Sequence, residues 1–244
     1  PVSSMTPDAP AADQAVLVHG WGGSFASTWQ RNGFSALLED AGRAVIGVDL
    51  LGHGTAPKPH DPAAYDDLTT RVLDALPDDP VDAVGFSLGA ITLLRLAVAH
   101  PQRINRLVLA GIGSNVVPGS DDRSGHDAIE AGLDAVAAGG DPGELDTTVR
   151  LFAQYATQPG NDLEALTACM RRAPAAPITP DQLRAVTCPV LVVVGDRDFV
   201  YPADELAAAF PDGRCTTLRN VDHFATTDAF GFFDAALEFL DAIG

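Results

Sequence analysis

Ser87, two aspartates and His223 stand at positions in this 244-residue chain from which they could do chemistry together. Ser87 is the centre of Gly85-Phe86-Ser87-Leu88-Gly89. Before it lies a β-rich run, Val81 to Phe86; after it, Leu88 to His100 repeats apolar residues (Ile91, Leu94, Ala97, Val98) at helical spacing. A serine in so tight a strand-to-helix turn takes a strained backbone conformation, and the flanking glycines let strand and helix approach closely. Its hydroxyl is then pushed out of the sheet. Asp196 and Asp198 follow the most strand-like run of the chain, Pro189 to Gly195, and so stand at a strand's carboxyl end, where open α/β sheets place their ligands. His223 lies in the loop after the last strand-like run. A serine hydroxyl is a poor nucleophile until a base takes its proton, and an imidazole of ordinary pKa about 6.5 is mostly neutral at pH 7 and can do so. A carboxylate behind it fixes the tautomer and stabilises the imidazolium. These residue types can carry acyl transfer through a serine ester to water, with no metal or cofactor.

The elements that must position them alternate. Ala15 to His19 reads as a buried strand running into the glycine loop His19-Gly20-Trp21-Gly22-Gly23, and Ser27 to Ala41 as a helix with Trp29, Phe34, Leu37 and Leu38 on one face. Ala44 to Leu50 is the next strand, ending in Asp49-Leu50-Leu51-Gly52-His53-Gly54. A proline-rich loop and a helix over Tyr65 to Leu76 lead to the Ser87 elbow, and Arg106 to Gly113 is a further strand. From Ser114 to about Thr187 the periodicity is helical: Ile129, Leu133, Val136 and Ala137; then Leu145, Val149, Phe152 and Ala156; then Leu163, Leu166 and Met170. Breakers at Gly139 to Gly143 and at Gln158-Pro159-Gly160-Asn161 separate these helices, and Thr179-Pro180-Asp181-Gln182 has the form of a capping box. A helix over Ala203 to Phe210, a strand over Arg214 to Leu218 and a helix over Phe230 to Ile243, with Phe233, Leu237 and Leu240 inward, close the chain. The fold class is α/β, a mainly parallel sheet flanked by helices. Residues 1–113 and 188–244 form the expected core, and 114–187 an inserted helical lid.

Composition excludes several function classes. A formal charge of −18 with Lys58 as the only lysine repels nucleic acid and anionic membranes. No apolar run approaches the roughly 20 residues of a membrane helix. Pro1 to Gln14 has neither a basic start nor an apolar stretch, so no secretory leader is expected there, and Met5 is the expected natural start. Cys169, Cys188 and Cys215 are odd in number and have no metal-ligand spacing, which predicts reduced thiols in a cytoplasmic protein. The partner expected is a small-molecule substrate, and the expected state is a monomer or weak homodimer.

The order of these parts resembles the α/β-hydrolase family over nearly the whole chain. The matching residues are His19-Gly20-Trp21-Gly22-Gly23, Asp49-x-x-Gly52-x-Gly54, Gly85-x-Ser87-x-Gly89, Gly195-x-x-Asp198 and His223. The resemblance implies a triad in the chain order Ser87, Asp198, His223, with Asp196 as the alternative acid. It also implies an oxyanion hole made by the backbone N–H groups of Trp21 and Leu88. Many members begin with an extra hairpin, for which the residues before Ala15 leave no room, so a sheet of about six strands is expected. Phe25, Phe86, Ile112, Phe152, Met170, Phe199, Val200 and Phe224 are the expected pocket lining, suited to neutral acyl or aryl groups. His19, His53 and Asp49 read as loop braces.

The activity expected is cleavage of small, mostly neutral carboxylic esters. A lactonase, thioesterase or carbon–carbon bond hydrolase would use the same triad. A hydroxynitrile lyase would want a cation at the site, and Lys58 lies in a proline-rich loop. An Asp-nucleophile enzyme is excluded by the serine at the elbow. A non-catalytic binding protein of this fold would more commonly have lost a triad member.

Overall fold

Short runs of Val, Leu and Ile, too brief for helices and bounded by glycine turns, assemble into one parallel sheet. The structure, a computed structural model, describes residues 12–116 and 124–242. Among them the strands are β1 (Gln14–Val18), β2 (Ala44–Val48), β3 (Val81–Phe86), β4 (Ile104–Ala110), β5 (Val190–Gly195) and β6 (Gly213–Leu218), in the spatial order β2-β1-β3-β4-β5-β6. Every neighbouring pair is parallel, as the expected six-stranded sheet requires. β3 and β5 are buried at every position, because helices cover both faces. The chain runs outward from β1 to β2 and then returns to place β3 on the other side of β1. Such a switch point leaves a crevice outside the carboxyl ends of β1 and β3. The glycine loop and Ser87 both lie there.

One face of the sheet carries α1 (Phe34–Asp40) and α9 (Phe230–Phe239), whose Phe34 and Phe232 stack with Trp29 over Leu17, Val84 and Val193. The other carries α2 (Thr69–Leu73), α3 (Leu88–Ala99) and α8 (Asp204–Ala208), with Val72, Leu93, Leu96 and Leu206 on Val16, Ala83 and Val192. Two expected helices are shorter than their periodicity suggests. The single helix read over Ser27 to Ala41 breaks at Gly33, where φ is 85° and the Asn32 side chain accepts from Phe34 N–H, so α1 starts anew. The helix read from Tyr65 begins only at Thr69, where Asp67 turns the preceding chain by accepting from the backbone and hydroxyl of Thr69.

Between β4 and β5 lie α4 (Ser124–Ala137), α5 (Thr147–Ala156), α6 (Leu163–Met170) and α7 (Pro180–Arg184). Their starts are set by side chains: Asp146 accepts from Thr148 N–H, Asp162 from Ala165 N–H, and Thr179 and Gln182 form the reciprocal capping box. α4 and α5 approach closely at Gly132, where a Cβ would stand 2.2 Å from Val149 Cγ1.

Candidate active site

The elbow is built by two glycines. A Cβ on Gly85 would lie 2.7 Å from Ala90 Cα, and one on Gly89 would lie 2.4 Å from the Val18 carbonyl oxygen. The start of α3 therefore rests directly on the end of β1, which no larger residue allows. Ser87 is held between them at φ 50° and ψ −112°, one of the positive-φ non-glycine residues of the described chain. Such a conformation costs on the order of 1–3 kcal/mol and persists only where the surroundings enforce it. Here Ser87 N–H donates to the Ala110 carbonyl at 2.8 Å and Ile91 N–H to the Ser87 carbonyl at 3.0 Å.

His223 Nε2 stands 3.0 Å from Ser87 Oγ, and its Nδ1 stands 3.0 and 2.9 Å from the two oxygens of Asp198. Asp198 and His223 are buried, and Ser87 is half-buried. Asp198 is fixed in turn by the Val200 N–H, which donates to Oδ1 at 3.1 Å. Nδ1 thus carries the proton towards Asp198 and leaves Nε2 free to accept from the serine. Asp196 faces elsewhere: its Oδ1 accepts from Asn220 N–H at 2.7 Å and shapes the turn after β6.

His19 Nδ1 donates to the Gly20 carbonyl at 2.7 Å while its Nε2 accepts from Leu50 N–H at 3.1 Å, so one imidazole ties the loop after β1 to the loop after β2. Burial holds its pKa below the ordinary histidine value, against the bond to Gly20 and the charge of Asp49. His53, 5.1 Å away ring to ring, is pushed down to about 3, first by burial and then by His19. Asp49 accepts from Phe25 N–H and from Thr55 N–H, each at 2.7 Å. Half-burial acts to raise its pKa, but the bonds from Thr55 and Phe25 outweigh it and hold the carboxyl below the usual range. These residues brace loops, as their glycine neighbours suggest.

The expected pocket residues divide. Phe152, Phe199 and Phe224 come together beside the histidine: Phe199 is 4.4 Å from the His223 ring, Phe152 lies 6.2 Å from Phe199 and 5.4 Å from Phe224, and the Trp21 ring is 5.5 Å from Phe152. Phe25 does not join them. Its N–H is drawn to Asp49 and its ring lies over Gly47 on the edge strand β2, within 2.5 Å of where a Cβ would be. Phe86 points with Val84 to the α1/α9 face, because strand side chains alternate, and its ring supports His223 from behind at 5.0 Å. Met170 is buried, its carbonyl taking a bond from His126, and Ile112 is fully buried in the same core cluster. Val200 acts through its backbone bond to Asp198.

Trp21 lies in the glycine turn after β1, and Leu88 directly follows Ser87. Leu88 is the first residue of α3, where N–H groups have no intrahelical partner and the helix dipole favours negative charge. Contacts invisible to periodicity complete the site. Trp21 Nε1 donates to the Leu166 carbonyl at 3.1 Å, Tyr155 packs on Gly22 and lies 5.3 Å from Phe224, and Asn161 reaches the Gly22 carbonyl. In the sequence Asn161 shows only as part of a helix breaker.

Comparison with known proteins agrees with this architecture. The sequence model of the "Alpha/beta hydrolase family" matches residues 15–240. A pimeloyl-[acyl-carrier protein] methyl ester esterase of Neisseria meningitidis serogroup B is 38% identical over 103 residues, which are 41% of this chain and 36% of that protein. A 2-hydroxymuconate semialdehyde hydrolase of a Pseudomonas species is 40% identical over 99 residues, 38% of this chain and 31% of the other. These matches therefore span about a third of the curated relatives' length. A bromoperoxidase from Bacillus anthracis shares the fold, with a TM-score of 0.73 at 23% identity over 96% of this chain and 94% of that one.

Proposed function

The chain belongs to the alpha/beta hydrolase family, and from that premise we propose that it is a serine esterase acting on small, mostly neutral carboxylic esters through an acyl-enzyme. One observation carries this reading: Ser87 Oγ, His223 and Asp198 form a continuous relay, with 3.0 Å from Oγ to Nε2 and 2.9 Å from Nδ1 to Oδ2.

In the proposed mechanism Ser87 Oγ attacks the ester carbonyl as His223 Nε2 takes its proton. The oxyanion is met by the N–H groups of Trp21 and Leu88. The imidazolium, stabilised by Asp198, gives its proton to the leaving alkoxide, and water then repeats the sequence to free the acid and Ser87. Phe152, Phe199 and Phe224 offer apolar surface to the acyl or alkyl group. The inserted helices α4–α7 act as a lid over this surface, a role supported by the Trp21–Leu166 bond and the Trp21–Phe152 ring contact.

The formal charge of −18 slows the approach of anionic substrates, so a short neutral ester is favoured over a dicarboxylate monoester of matched acyl length. Lactone, thioester or carbon–carbon cleavage would use the same relay; the similarity to a semialdehyde hydrolase makes the last the second reading. The odd number of cysteines, Cys169, Cys188 and Cys215, without metal-ligand spacing favours reduced thiols and a cytoplasmic setting.

A fluorophosphonate probe tests the proposal. It should label Ser87 alone, and Ser87→Ala should lose ester turnover while keeping its far-UV spectrum. Turnover surviving in Ser87→Ala would refute it.

A further inference from the structure

The inserted helices reach the oxyanion loop through hydrogen bonds as well as rings. Residues 20–23 form a tight turn, in which Gly23 N–H donates to the Gly20 carbonyl at 3.1 Å and Gly22 supplies the positive φ, 73°, of the third position. The Gly20 carbonyl also takes the His19 bond at 2.7 Å. On the far side of the turn, the Asn161 amide donates to the Gly22 carbonyl and to the Tyr155 carbonyl, each at 2.8 Å. Both partners are carbonyl oxygens, so only the NH₂ end can face them, and both of its hydrogens are used. An amide serving only to end α5 would need the Tyr155 bond alone. The second bond crosses 139 positions of sequence to the loop that carries Trp21.

We propose that Asn161 is a positioning residue that fixes the aim of the Trp21 backbone N–H, so that seating of the inserted helices and assembly of the oxyanion hole are one event. This rests on the serine-esterase reading above. The turn's carbonyls are held from both sides, Gly20 by His19 and Gly22 by Asn161. Gly23 N–H shares its peptide plane with the Gly22 carbonyl and donates to the Gly20 carbonyl, whose own plane carries the Trp21 N–H, so releasing Gly22 loosens the bond that helps orient Trp21 N–H. The same stretch is fastened at two further points: Trp21 Nε1 donates to the Leu166 carbonyl, and Asp162, beside Asn161, meets His60 Nε2 at 3.1 Å. Because oxyanion donors bind the tetrahedral state far better than the planar ester, loosening Trp21 acts on kcat and leaves ground-state binding alone.

The test compares wild type, Asn161→Ala and Asn161→Asp on p-nitrophenyl butyrate. It also measures inhibition by phenylboronic acid, which becomes tetrahedral on the serine, and by p-nitrophenyl butyl ether, which cannot. Loss of a whole oxyanion donor costs about 10²–10³ in kcat, so a misaimed one is expected to cost roughly 10–100-fold, with KM changed less than about twofold. Boronate inhibition should weaken in step with kcat/KM while ether inhibition holds. Asn161→Asp should be worse than Asn161→Ala, since a carboxylate keeps the shape but repels both carbonyls. Equal weakening of boronate and ether, or unchanged turnover in both variants, would overturn the inference. A wild type that neither turns over esters nor binds the boronate would remove the esterase reading and this inference with it.

Discussion

Asp198 holds His223 through both carboxylate oxygens, at 3.0 and 2.9 Å from Nδ1, while the carboxylate of Asp196, two residues earlier on the same strand end, accepts from the backbone N–H of Asn220. The two carboxylates are chemically identical in sequence and separated by direction alone. Asp198→Asn should cost about 10⁴ in kcat, by analogy with the measured effect of inverting a triad tautomer. Asp196→Asn should change kcat less than about threefold, being remote from the reacting atoms. Steady-state kinetics on one ester compares them, and a larger loss at Asp196 would reverse the assignment.

Phe152 and Met170 both lie in the inserted helices but should respond differently. Phe152→Leu should change the preference among acyl chain lengths with little effect on folding, since its ring faces Trp21, Phe199 and Phe224. Met170→Ala should leave that preference intact and cost about 2–5 kcal/mol of stability, as truncation in packed interiors does. Chemical denaturation together with a p-nitrophenyl ester series separates the two effects.

The buried histidines make the fold sensitive to acid. His53 has its pKa pushed down to about 3 in the folded protein, chiefly by burial, against about 6.5 when unfolded. The unfolded chain therefore binds this proton first. The stability contributed is complete above pH 6.5 and is lost progressively as pH falls from there towards 3. His53→Asn should flatten this part of the pH–stability profile. Denaturant midpoints at pH 7.5 and 5 measure it: the wild-type drop should exceed that of the variant.

His60 should act with the opposite sign. The bond to Asp162 raises its pKa, and Glu164 meets its other ring nitrogen at 2.9 Å. A raised folded pKa gives stability that is fully present below the unfolded value near 6.5 and fades as pH rises through the folded one. His60→Gln should therefore lower the melting temperature at pH 5.5 and leave it nearly unchanged at pH 9. Differential scanning calorimetry at both pH values tests this.

Gly89→Ala should be among the most damaging single-methyl changes in the chain. Its Cβ would stand 2.4 Å from the Val18 carbonyl, and backbone on both sides cannot yield. A cost at or above the usual 1–3 kcal/mol of overpacking is expected, with loss of probe labelling at Ser87. A folded, fully reactive variant would show that β1 and α3 can separate without disturbing the elbow.

The elbow and its partners were legible in the sequence because each requirement leaves a local mark. Close approach demands glycine at 85 and 89, the strand end demands a run like Val190–Gly195, and the capping box at Thr179 writes out both of its halves. What escaped notice depends on direction. Phe86 shares a strand face with Val84, so period-two alternation could have placed it behind His223. Nothing local could have sent Phe25 to Gly47, since its path is set by Asp49, 24 positions on. Asn161 is equally silent, because a helix breaker and a loop anchor look alike until the fold brings Gly22 beside it.

The strands that bracket the inserted helices, β4 and β5, are neighbours in the sheet, with Ala110 opposite Val193. The insertion thus leaves and rejoins the sheet through one doorway, and changing its length disturbs no strand register. In chain-entropy terms each doubling costs only about 0.6 kcal/mol. Such a segment is a natural unit of exchange, by which a lineage or an engineer could trade one specificity for another over unchanged chemistry. Asn161 and Leu166 attach a condition to that trade. A transplanted segment must arrive with an amide for the Gly22 carbonyl and a carbonyl for the Trp21 indole, or it will bring a new pocket to a slack oxyanion loop.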